Sequence, residues 1–278
     1  MKKWNIYVTF FKKLYDDNYT CDRTFNMSNF TFVKVNDDYE IDLSENKLEY
    51  DLFYEHDYKI YDPIWQKKGY HENSVLYHIF KNKEYLQNDY IGFIEYDHAL
   101  NEGFCDTIQR IIDAAEEDVI FSFQSFNFSQ LWDQGIVLNP YRPGKQEGKA
   151  NSRWNCINVI LKDYNDFYGT EFTLEKLQKK NCFPLCHAIL VPSSLFEKIM
   201  RFHSHIMETG RIERYHTFNW RSNAGIMERY LAVALSLEDA EIITDIQLEH
   251  KSYDIKVIKP EWSERSLFKK MRNKILGY

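Results

Sequence analysis

The sequence has no long apolar run, no basic block, no paired set of cysteines and no glycine-rich phosphate loop. Each absence removes a class of function. No window approaches the roughly 20 apolar residues of a membrane span. The opening MKKWNIYVTFF is broken at Lys12 and Lys13, so it reads as a first strand and not as a signal peptide. Against 42 Asp and Glu stand 35 Lys and Arg, a net charge of -7, which argues against nucleic acid as a partner. The five cysteines (Cys21, Cys105, Cys156, Cys182, Cys186) are odd in number and scattered, as expected of reduced thiols in the cytoplasm. In CFPLCH, Cys182, Cys186 and His187 lack the second Cys/His cluster that would complete a zinc site. Neither a P-loop nor a nucleophile-elbow pattern occurs, which disfavours P-loop and α/β-hydrolase chemistry.

What is present is a globular composition, 44% hydrophobic, in a chain of 278 residues that can bury a sizeable core as one domain. The 20 Tyr and 20 Phe are of the kind that sugars and bases stack against. Strand signals at 4–11 and 30–35 are followed by a helical spacing over 73–86, then the apolar strand 90–94. A helix over 105–117 and a strand over 118–125 repeat that rhythm, which predicts an α/β fold with a mostly parallel central sheet flanked by helices. Further helices are expected around 156–180, a strand over 185–191, and helices from Ser194 and over 222–238. Ser194 with Glu197 has the capping-box pattern, and Gly210 is placed to end that helix. A last strand over 241–250 carries His250 at its end.

The segment 126–155 has clustered Gly, Pro, Asn and Lys and no period, and reads either as an acceptor-binding or lid loop or as a plain disordered insertion, within a domain of residues 1–255. Residues 256–278 form an amphipathic basic helix, suited either to an anionic membrane surface or to docking on its own domain.

The chemistry centres on EYD. In an extended chain Glu95 and Asp97 point to one side and Tyr96 to the other, so a strand end delivers two carboxylates together. Such a hard oxygen site suits Mn²⁺ or Mg²⁺ shared with substrate phosphates, with His250 as a third ligand.

An acid-any-acid strand end, a downstream acid on a helix and a late strand-end His resemble the GT-A class of nucleotide-sugar glycosyltransferases. NSVLYHIFKN, DYIGFIEYDHAL, CHAILVPSSLFEKIMRF and RSNAGIMERYLAVAL also resemble a bacterial family, long catalogued as a domain of unknown function, found among capsule and lipopolysaccharide glycosyltransferases. Many of its members carry His-Tyr-Arg-Arg where this chain has Glu95-Tyr96-Asp97-His98. The resemblance implies a GT-A-like, Rossmann-related single domain that moves a sugar from a UDP- or GDP-type donor to a glycan or lipid-linked acceptor, in surface polysaccharide or glycan biosynthesis. The enzyme would be metal-dependent and cytoplasmic or membrane-peripheral. It implies Glu228 as the catalytic base of an inverting reaction, oriented by Arg221 or Arg229. Thr9, Phe10 and Tyr96 would contact the nucleotide, and Tyr70, Asn73, Trp132, His187 and Arg221 the donor or acceptor. The alternatives are a nucleotidyltransferase using the same paired acids and a non-catalytic glycan-binding module.

Overall fold

The computed structural model describes residues 1–35, 40–128, 157–212 and 222–253. The strands are β1 (Trp4–Phe10), β2 (Phe30–Lys34), β3 (Leu52–Tyr54), β4 (Tyr90–Glu95), β5 (His98–Ala99), β6 (Val119–Ser122), β7 (Ser125–Phe126), β8 (Phe183–Pro184), β9 (Ile189–Pro192), β10 (Glu241–Ile243) and β11 (Glu249–His250). Seven of them form one sheet in the order β10-β6-β9-β4-β1-β2-β3. All its pairings are parallel except those of β9, which runs against both β4 and β6.

Strand alternation explains why the sheet is covered on both faces. Trp4, Ile6, Val8 and Phe10 of β1 join Phe104, Cys105, Ile108 and Ile112 of the helix Phe104–Ala114 in one core. Tyr7 of β1, with Ile91 and Phe93 of β4, joins the opposite core against Val75, Leu76 and Ile79 of the helix Glu72–Lys81. Runs that are apolar at every position belong in strands buried on both sides. The α/β class, the mostly parallel central sheet and the flanking helices expected from the sequence are therefore present.

At Gly92 this packing leaves no room for a side chain. A Cβ there would stand 2.8 Å from the Ile189 carbonyl oxygen and 2.8 Å from Cγ1 of Ile6. Glycine is what lets β4 lie between β1 and β9 at that level.

Three local expectations change. The helix Ser193–Glu208 starts directly after β9 with Pro192 at its cap position, so no Ser194 capping box forms. Glu197 pairs instead with Lys83 at 2.7 Å. The stretch 241–250 is two short strands: β10 ends the main sheet, and β11 pairs with β5 in a separate ribbon. The bend at Asp245 and Ile246 between them breaks the extended run. The strand over 185–191 is shorter, because Cys186 and His187 adopt left-handed backbone conformations, φ 59° and 49°. Among the described residues no helix is long and apolar enough to cross a membrane. The segment 256–278, and 126–155 apart from its first three residues, lie outside the described residues.

Candidate functional site

The strand order reverses beside β1: the chain moves outward through β2 and β3, then returns to lay β4 on the other flank of β1. In open α/β sheets the crevice outside the carboxyl ends at such a reversal is where ligands bind. Thr9 pairs with Glu95 at that edge. The antiparallel ladder of β9 ends with Phe93 opposite Ile189, and just beyond it Nδ1 of His187 lies 3.7 Å from Oε1 of Glu95. Two chain segments running in opposite senses thus meet at one spot.

The acid pair of EYD is divided between two neighbouring centres. β4 ends at Glu95, and a turn carries Tyr96 and Asp97 away. The Asp97 carboxylate lies in a shallow centre with His250, whose Nε2 is 3.3 Å from Oδ2, and with His98, whose Nδ1 is 3.5 Å from Oδ1. The β5–β11 ribbon causes this meeting: His250 pairs directly with His98, and Lys251 N–H donates to the Asp97 carbonyl. Oδ1 of Asp97 is buried and accepts no hydrogen bond among the described residues. Burial raises the Asp97 carboxyl above its ordinary range, with His250 opposing that shift. Burial and the neighbouring His250 lower His98 to about 4, so its imidazole is neutral at pH 7.

Glu95 belongs to a deeper centre. Oε1 lies 3.7 Å from Nδ1 of His187, and one ligand atom each from Glu72, Glu95 and His187 fall within 4.8 Å of one another. Burial is the main cause that lifts Glu72 to about 8, with repulsion from Glu95 adding to it. Burial also lifts Glu95 well above the carboxylate range, helped by Asp97 and Glu228. Glu228 borders the same centre but is held differently. Its Oε1 accepts Cys186 N–H at 2.6 Å and its Oε2 the Arg229 guanidinium. Burial opposes ionisation there, yet Arg229, His187 and the Cys186 amide outweigh it, and the Glu228 carboxyl is lowered.

Behind the deep centre, Asn73 fixes the orientation of His187. Nδ2 of Asn73 donates to the carbonyls of Tyr70 and Ala224, at 3.1 and 3.3 Å, which can only accept. Oδ1 is therefore the acceptor for Nε2 of His187 at 3.0 Å and Nε2 of His203 at 3.1 Å. His187 and Cys186 are joined by His71 (φ 49°) as left-handed non-glycine residues around this centre. Sparsely populated backbone conformations of this kind concentrate at ligand sites.

An aromatic rim borders the shallow centre. Tyr15 and Tyr253 stack at 3.6 Å between centroids with rings 5° from parallel, and Tyr96 packs edge-on against Phe11 at 5.1 Å. Buried Asn18 donates to the Tyr96 carbonyl and accepts from the Tyr253 hydroxyl, each at 2.8 Å.

Of the residues expected from the sequence, the fold brings together Asp97 with His250, Glu95 with His187, and Glu228 beside them. Four contact roles are corrected by burial. The Phe10 ring is wholly inside the core, and Tyr70 is wholly buried edge-on against Trp65. Thr9 is turned inward, its hydroxyl donating to the Ile94 carbonyl. Asn73 is fully buried and orients His187 without reaching the crevice. Trp132 and Arg221 lie outside the described residues. Glu72, Tyr15 and Tyr253 were missed. An acid in the first turn of a helix is common for dipole reasons alone, so Glu72 carried no distinguishing signal. Cys182 and Cys186 form no disulfide among the described residues.

No family model matches the chain, and no curated protein matches it. Among solved structures, it is similar to the mannosyltransferase Ktr4p from S. cerevisiae, with a TM-score of 0.43 at 10% identity over 90% of this chain and 71% of that one. The same protein in complex with GDP gives a TM-score of 0.39 at 10% identity, over 90% and 72% of the two chains. Mouse xyloside xylosyltransferase 1 gives 0.37 at 9% identity, over 87% and 84%.

Proposed function

We propose that this chain transfers a sugar from a nucleoside-diphosphate donor to a hydroxyl of a glycan or lipid-linked acceptor. One observation carries the reading: at the strand-order reversal, Asp97 and His250 meet beside an aromatic rim, with a buried acidic centre next to them. A nucleotide sugar needs those three things in that order, a flat surface for the base, a charge-compensating centre for the diphosphate, and hydroxyl acceptors for the sugar.

A divalent cation fits the shallow centre, because Asp97 Oδ1 is buried without a hydrogen-bond donor and the donor set is carboxylate plus imidazole. Mn²⁺ or Mg²⁺ held there by Asp97 and His250 would offset the charge of a diphosphate leaving group. The other steps belong to the chain's own side chains. Tyr96, Tyr15 and Tyr253 present ring faces and edges to the base. Glu228 stays ionised and accepts hydroxyl hydrogen bonds near the sugar, where its negative charge favours the cationic character that develops on the ring. A carboxylate so held is a weak proton acceptor, so Glu228 supports the reaction better by charge than as the base of an inverting step.

The experiment is a thermal-shift and calorimetric screen of GDP, UDP and their sugars, with and without Mn²⁺. Binding that needs Mn²⁺ and disappears in Asp97→Ala is the expected result. Absence of nucleotide binding under both conditions ends this reading. Release of nucleoside diphosphate on addition of an acceptor then identifies the transfer itself.

A further inference from the structure

We propose that Glu72, Glu95 and His187 form a second divalent-cation site, distinct from the Asp97–His250 centre and filled without nucleotide. Asn73 decides which ring nitrogen of His187 carries the proton. Because its amide nitrogen is committed to two carbonyls, its oxygen must receive N–H from Nε2 of His187. A neutral His187 then carries its lone pair on Nδ1.

His187 is only 5% exposed, and Nδ1 has no hydrogen-bond partner among the described residues. What it faces is Oε1 of Glu95 at 3.7 Å, with a Glu72 oxygen in the same cluster. A lone pair facing carboxylate oxygens is repulsive unless a proton or a cation lies between them, and a dication there satisfies all three groups at once. Among the described residues, the Arg229 guanidinium close by is engaged by Glu228 and the Gly225 carbonyl. Two carboxylates and one oriented imidazole match the charge and the donor preference of a dication such as Mn²⁺ or Zn²⁺.

Size agrees with the assignment. The three ligand atoms lie within 4.8 Å of one another, and two ligands on opposite sides of one such ion stand about 4.2 Å apart. Closing a few tenths of an ångström is within the reach of the Glu72 and Glu95 side chains. Asn73 completes the arrangement, since a metal-bound His ordinarily gives its other N–H to an oriented acceptor.

Mn²⁺ titration of the nucleotide-free protein, followed by electron paramagnetic resonance, tests this directly. Bound Mn²⁺ should show nitrogen coupling from a directly ligated imidazole. That coupling should persist in the Asp97→Asn/His250→Gln double variant, in which the shallow centre is disabled. It should vanish when His187→Gln is added to that double variant, and Glu72→Gln in the same background should weaken Mn²⁺ binding more than about tenfold. Circular dichroism identifies any variant that does not fold, and if His187→Gln is lost that way, the isosteric Glu72→Gln decides. Unchanged affinity in Glu72→Gln, loss of the nitrogen coupling in the double variant, or no Mn²⁺ bound by the nucleotide-free wild type would overturn the assignment. None of those three results bears on the donor reading, which is judged by nucleotide titration.

Discussion

His187 and His203 donate to the same acceptor, Oδ1 of Asn73, one from the loop before β9 and the other from the middle of the helix Ser193–Glu208. The site wall and a core helix are thereby tied through one oxygen. Truncation by Asn73→Ala leaves two buried N–H groups without an acceptor and two carbonyls without a donor. A loss of about 3 kcal/mol in urea-denaturation stability is expected. A loss below about 1 kcal/mol would mean the network is dispensable.

Burial, with His187 next, lowers His203 to about 3, against an ordinary value near 6.5. Its depressed folded-state value means that the unfolded chain takes up a proton first as pH falls. Stability is therefore full above about pH 6.5 and declines steadily toward pH 3. His98, lowered to about 4, adds to the upper part of the same decline. In His203→Gln, which keeps an N–H for Asn73, urea midpoints measured from pH 7.5 to pH 4 should fall less steeply than in the wild type. Parallel slopes would refute the assignment.

Gly92→Ala places a methyl group 2.8 Å from the Ile189 carbonyl oxygen, a backbone atom that can move only with β9. The expected effect is a loss of about 2 kcal/mol. Because Glu95 and His187 lie at the ends of these two strands, nucleotide or metal binding should weaken as well. A variant as stable as wild type would show that the sheet yields at this level.

Asp163 is held by Nε and Nη2 of Arg211 and by the Tyr230 hydroxyl at 2.7 Å, joining the helices Ile157–Tyr168 and Ser222–Leu237. Removal of the carboxylate in Asp163→Ala takes its hydrogen bonds away from the Arg211 guanidinium and from the buried Tyr230 hydroxyl, and should cost about 3 kcal/mol. Tyr230→Phe removes one hydrogen bond and should cost about 1.5 kcal/mol. Equal losses from the two changes would contradict this account.

The core strands were legible because period and composition act locally. β1, β2 and β4 fall within a residue of their expected limits, since each is mostly apolar and buried at nearly every position. The pairing of Asp97 with His250 was also anticipated, though the cause is the β5–β11 ribbon and not a shared sheet edge. Alternation along an extended chain predicted Glu95 and Asp97 on one side, and the turn at Tyr96 separates them. Which residues face Glu95 depended on the direction of β9, and a strand's apolar pattern reads the same in either direction. For that reason His187 could be named but not placed, and Glu72 was passed over. Phe10 and Tyr70 were misassigned because an aromatic side chain near a site looks identical in sequence whether it faces the crevice or the core.

The reversed direction of β9 has a consequence for how this site can diversify. Most of the crevice is reached by chain leaving a strand, and altering such a connection also alters the helix that follows. Cys186 and His187 reach it on chain approaching a strand, from a short corner bounded by β8 and β9. Substitutions in that corner should therefore reshape the site wall while the crossover helices keep their packing, His187 excepted because Asn73 ties it to the helix Ser193–Glu208.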